Sequence, residues 1–87
     1  MEVDYKAIGQ RIKISRIKKG VTQETVSDLI DITPAHMSNV ETGKTKVSLP
    51  TLIAIANALS VSVDTLLCDN VIAYKIVFEK EEKDIFS

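Results

Sequence analysis

Cysteine, histidine and glycine are scarce in this chain, and each shortage closes off a class of function. The one cysteine, Cys68, has no partner for an intramolecular disulfide. No histidine or second cysteine stands near it, so it reads as a small core or surface residue. His36 is the one histidine. No metal-ligand cluster is present in the sequence, so no bound metal is expected. Three glycines, well apart from one another, make no phosphate-cradling loop. With no nucleophile, base or cofactor motif, no catalytic residue and no cofactor are expected. The acid-rich stretch E-K-E-E-K-D (79–84) reads as a solvated face, not a catalytic carboxylate pair. Long apolar runs are missing too, which excludes a membrane span. The polar, acidic start M-E-V-D-Y-K is not a secretory signal, so the expected compartment is the cytoplasm. There is no Gly- or Pro-rich linker, internal repeat or low-complexity run.

What is there is a hydrophobic fraction of 45% in 87 residues, enough for one small packed unit and too much for disorder. The net charge of −1 hides an uneven distribution. Residues 5–46 hold eight lysines and arginines against four acids, while the remainder of the chain is acidic. Attraction to phosphate depends on where charge sits more than on the total. The same lysines also suit plain helix solvation.

Five short helices are expected. Asp4 is a suitable cap for Tyr5 to Lys19, with Tyr5, Ile8 and Ile12 at helical spacing, Ile14 and Ile17 widening the apolar stripe, and Gly20 closing it. Gly9 inside that helix calls for a close helix–helix approach. Thr22 caps a second helix to about Ile30, with Val26, Leu29 and Ile30 turned inward and Ser27 at a helix crossing. Thr33 caps the third, Pro34 suits its first position, and Ile32 and Met37 have hydrophobic-staple spacing. Met37 and Val40 face the core. Ser48 caps a fourth helix, whose Leu49, Leu52, Ile53, Ile55, Ala56 and Leu59 mark the centre of the core. Ser62 caps a fifth, Val63 to Cys68, with Val61 and Leu66 as a second staple pair. The first 68 residues thus read as an all-α domain. The extension 71–87 admits strand or helix, and the spacing of Val71, Tyr74, Phe78 and Ile85 favours helix. It ends on apolar I-F-S, which suggests a piece of a longer chain, testable by the intact mass of the natural product.

The stretch Thr22 to Gly43, two short helices around a turn at Asp31, has the form of a helix-turn-helix. The order T-Q-E … D-I-T-P-A-H-M-S-N-V-E-T-G-K … S-L-P-T-L … V-S-V-D-T-L-L resembles the lambdoid phage repressor and Cro family, together with the xenobiotic-response-element-type bacterial regulators on the same domain. The resemblance runs from about Ile8 to Leu67. It implies a lambda-repressor-like five-helix DNA-binding domain over 1–70, with 71–87 as an extension for dimerisation or partner binding. Two departures stand out. Asp31 occupies a turn where the family usually has Gly, and Ser27 stands where it often has Ala.

Residue chemistry and resemblance point to the same roles. Pro34, Ala35, His36 and Asn39 are expected to face bases: Asn bonds adenine bidentately, and Ala packs on a thymine methyl. A solvated surface position accounts for His36 equally well. Thr22, Gln23, Ser38, Thr42, Lys44, Thr45 and Lys46 are expected to meet phosphates, with Lys13 assisting from the first helix. Capping alone also accounts for Thr22, and intrahelical bonding for Ser38. The resemblance further implies a structural ion pair between Arg16 and Glu41. The function expected is a sequence-specific DNA-binding transcriptional regulator, a repressor rather than an activator. It would bind double-stranded DNA as a homodimer on an inverted repeat, joined through the fifth helix and the extension. The competing reading is an antitoxin-like interaction module whose extension, 71–87, captures a protein partner. No membrane association is expected under either.

Overall fold

Each helix among the described residues starts on a side-chain oxygen. The computed structural model describes residues 3–67, and among these all regular structure is helical. The elements among these residues are α1 (Tyr5–Lys19), α2 (Gln23–Ile30), α3 (Pro34–Thr42), α4 (Leu49–Leu59) and a short helix, α5, over 63–67. The expected reach of the fifth helix to Cys68 and the expected helical extension over 71–87 lie outside the described residues. Asp4, Thr22, Thr33, Ser48 and Ser62 each accept a hydrogen bond from the backbone N–H three residues on, at 3.0–3.3 Å. At Thr22, Ser48 and Ser62 the capping hydroxyl also meets a threonine hydroxyl three residues on. Each cap satisfies a donor that the helix cannot, worth about 1 kcal/mol.

The helices stop as locally as they start. Gly20, Asp31, Gly43 and Ser60 are all left-handed, with φ between 55° and 77°. Their N–H groups return to carbonyls of the preceding turn. Asp31, at φ 59° and ψ 49°, takes the conformation expected at the turn of the helix pair. For a residue with a Cβ this is unfavourable by roughly 1–2 kcal/mol, less for Asp, whose short polar side chain tolerates it.

The helices close around Ile8, Ile12, Val26, Met37, Val40, Ile55 and Leu66, all essentially without exposure. α3 packs on both α1 and α2, and α4 packs on α2 and α1. Ile32 and Val61, the outer members of the two staple pairs, pack against this core, while Met37 and Leu66 lie within it. Gly9 marks the crossing of α1 and α3. A Cβ there would stand 2.4 Å from the Val40 carbonyl oxygen and 2.5 Å from that of Glu41. Ser27 is fully buried at the helix interface, its hydroxyl donating to the Glu24 carbonyl at 2.9 Å.

Five apolar positions depart from expectation. Ile14, Ile17, Leu29, Leu49 and Ile53 are exposed, Leu29 by 67%. Each lies on the margin of an apolar stripe, where coverage depends on whether a neighbouring helix reaches that far. Among the described residues none does. Val47, in the loop before α4, is buried instead.

Candidate nucleic-acid interface

α3 divides its residues by face. Met37, Val40 and Glu41 point inward and are buried. Pro34 and Ala35 are exposed, and His36, Ser38 and Asn39 are half-buried. The outer surface is therefore short or polar, and no long side chain stands between the helix backbone and an approaching groove. The four expected base-facing residues thus share the outward part of one helix.

Glu41 is the departure from this division, an acid on a core-facing position with its side chain 1% exposed. Its neutralisation comes from α1. Arg16 Nε donates to Glu41 Oε2 at 2.6 Å and Arg16 Nη2 to Oε1 at 3.1 Å, a bidentate pair. Arg16 Nη1 donates to the Val21 carbonyl at 2.9 Å. One guanidinium thereby fixes the end of α3, the body of α1 and the link into α2. The ion pair implied by the resemblance is present.

Gln23, expected at a phosphate, has a second engagement. Its Nε2 donates to Glu41 Oε1 at 3.0 Å. The amide is therefore oriented by the buried carboxylate before any ligand arrives, with its other N–H and its oxygen still available. Sequence reading missed this tie. Its signal was Glu41 itself, because an acid at core-facing spacing with Met37 and Val40 demands more than one donor around it. Beside Gln23, Thr22 caps α2, its Oγ1 accepting from the Thr25 N–H at 3.0 Å.

On the far side of α3 the chain turns back. Thr45 N–H donates to the Asn39 carbonyl at 3.2 Å, which holds the loop against the end of the helix. Lys44 and Lys46 are exposed on this loop, and Lys46 Nζ lies 6.0 Å from the centre of the Tyr5 ring. The Thr42 hydroxyl lies within bonding distance of the Ser38 and Asn39 carbonyls. Its proton is used locally, and its lone pairs remain. Lys13, on α1, is exposed. Among the described residues there is no group of histidines, cysteines and acids that could hold a metal, and no helix long and apolar enough to cross a membrane.

The arrangement places hydrogen-bonding side chains on one helix, an oriented amide at one flank and two lysines at the other. The helix-turn-helix family matches residues 12–66. A prophage-derived HTH-type transcriptional regulator, YonR of Bacillus subtilis, is 39% identical over 59 residues, 68% of this chain and 55% of the relative. The immunity repressor protein of Bacillus phage phi105 is 31% identical over 81 residues, 90% of this chain and 56% of the relative. The chain thus spans about half the length of these relatives. Among solved structures, the biofilm master regulator SinR, crystallised in complex with DNA, superposes with a TM-score of 0.64 at 34% identity, over 69% of this chain and 97% of that one. These relatives are regulators and repressors, not enzymes. The chain belongs to the helix-turn-helix family in its Cro- and C1-type branch, the one anticipated from the order of its motifs.

Proposed function

We propose that this protein is a transcriptional repressor that binds an inverted-repeat operator as a homodimer, inserting α3 into the major groove. The observation that carries the reading is the division of α3, which has a buried apolar and ionic inner face and an outer face of short and polar side chains. In this reading Asn39 bonds a base edge, with Pro34, Ala35 and His36 beside it. Thr22, Gln23 and Ser38 meet phosphates on one side, and Thr42, Lys44, Thr45 and Lys46 meet them on the other. The DNA-bound state of SinR and the repressor role of the phage phi105 relative support the same assignment.

Dimerisation follows from the size of the interface. One recognition helix of nine residues offers few base contacts. Two half-sites about one helical turn apart supply the missing affinity. Exposed Leu49 and Ile53, one helical turn apart on α4, support an apolar contact between copies. Selection of bound duplexes from a random DNA pool tests the proposal. The expected result is a palindrome with half-sites about 10 base pairs apart. Recovery of no enriched sequence at any salt concentration overturns it, and an enriched site without two-fold symmetry overturns the dimer.

A further inference from the structure

Between α1 and α3 runs an open groove of about 620 Å³ that none of the assignments above uses as a whole. Lys6, Gln10 and Lys13 line it from α1, Ser38 and Thr42 from α3, and Gln23 from the start of α2. Positions 6, 10 and 13 fall on one stripe of a helix, as do 38 and 42. The two stripes face each other across the groove. Each lining residue named here carries a hydrogen-bond donor.

The charge in this groove that is left unneutralised is basic. Glu41 is the one acid in its lining, and its carboxylate is already held by Arg16 and Gln23. Lys6 and Lys13 are exposed and engage no acid among the described residues. The backbone at Lys6 is also held. Gly43 lies so close to α1 that a Cβ on it would stand 2.7 Å from the Lys6 Cα. The end of α3 therefore presses on the first turn of α1, next to the loop that carries Lys44 and Lys46. The Lys46–Tyr5 contact joins the same two segments. Lys6 and Lys13 thus line the groove, and the loop that carries Lys44 and Lys46 adjoins its Lys6 end.

We propose that the α1–α3 groove seats a DNA sugar-phosphate strand, with Lys6 and Gln10 as phosphate-contacting residues in addition to Lys13. The inference rests on the DNA-binding reading above and extends its footprint from the loop along α1. A polyanionic strand matches the groove because its donors are strung in a line along two helices, as phosphates are along a backbone.

The test is salt-dependent binding of the full chain to a mixed-sequence duplex of 20 base pairs, followed by fluorescence anisotropy. Removing one phosphate-neutralising side chain lowers the slope of log K against log salt by about 0.9. Lys6→Gln and Lys13→Gln should each reduce the slope by that amount. Affinity would then fall about 3- to 4-fold less than in the parent between 50 and 200 mM salt. Lys6→Arg should keep the parent slope. Lys18→Gln, also on α1 but outside the groove, should change nothing. Far-UV circular dichroism checks that each variant is folded. If Lys44→Gln lowers the slope while Lys6→Gln and Lys13→Gln do not, the groove assignment is wrong and the DNA reading stands. If the parent shows no salt-sensitive binding, both fail together.

Discussion

α3 and α4 begin alike and end alike, yet present opposite surfaces. Both start on a hydroxyl cap, Thr33 or Ser48, with a proline in the first two positions. Both end on a left-handed residue, Gly43 or Ser60. Each buries a fully covered side chain, Met37 or Ile55. Outside, α3 shows Ala35, His36, Ser38 and Asn39, whereas α4 shows Leu49 and Ile53. Local rules thus make two similar helices, and the outer residues alone set what each can meet: hydrogen-bonding edges for α3, apolar surface for α4.

The likeness of the two helices should break first in their interiors. Glu41 is the ionic member of the α3 inner face, and α4 has no counterpart. Glu41→Ala leaves Arg16 largely buried and unpaired, and should destabilise the fold by about 3–5 kcal/mol. Replacing both partners with apolar residues, Arg16→Met with Glu41→Leu, should lower stability less than the single change. Urea unfolding reads the difference, and a double variant as unstable as Glu41→Ala would mean that the charge pair itself holds α3. Truncating the shared interior is the next test. Met37→Ala and Ile55→Ala should each cost about 2–5 kcal/mol in the same assay. A loss at Met37 far below that at Ile55 would show α3 to be loosely seated.

The outer faces separate the two helices more sharply. Asn39→Ala should leave the melting temperature unchanged and weaken binding to a selected operator by about 1–3 kcal/mol, with relaxed preference at one base pair. An equal loss on all sequences would move Asn39 from base to backbone contact. At the turns, Asp31→Gly relieves a left-handed residue with a side chain and should stabilise by about 1 kcal/mol, a rise of about 4–8 °C on thermal unfolding. Ile53→Gln is the smallest perturbation of the folded chain, within about 0.5 kcal/mol for unfolding at low concentration. Sedimentation should nevertheless show a weaker dimer. An unchanged dimer would remove this part of α4 from the contact.

Much of the fold is legible in the chain because its punctuation is local. Five caps and the glycines at 20 and 43 act within one helical turn, so residue type and spacing suffice to place them. The inner face of α3 is legible for a related reason: Met37 and Val40 lie at the spacing that any packed helix buries. The margins of the stripes are not. Ile17 and Leu29 have the same apolar character as Ile12 and Val26, and only the reach of a neighbouring helix separates exposed from covered. The site follows the same pattern. Residue type and register mark Asn39, Lys44 and Gln23 as candidates, but they do not reveal that Gln23 bonds Glu41, 18 positions away.

What the sequence determined by itself is where each described helix begins and where the first four stop, which face of α3 turns inward, and the order of motifs that marks the family. These depend on contacts between residues three or four apart, made whenever a helix forms. What only the tertiary structure decided is which apolar margins stay bare, that Glu41 gathers both Arg16 and Gln23, and that Lys6 and Lys13 line one groove with Ser38 and Thr42. Those outcomes depend on how closely α1 and α3 approach. That distance is set by the packing of Gly9 against the end of α3 and of Gly43 against Lys6, through contacts between residues more than thirty positions apart.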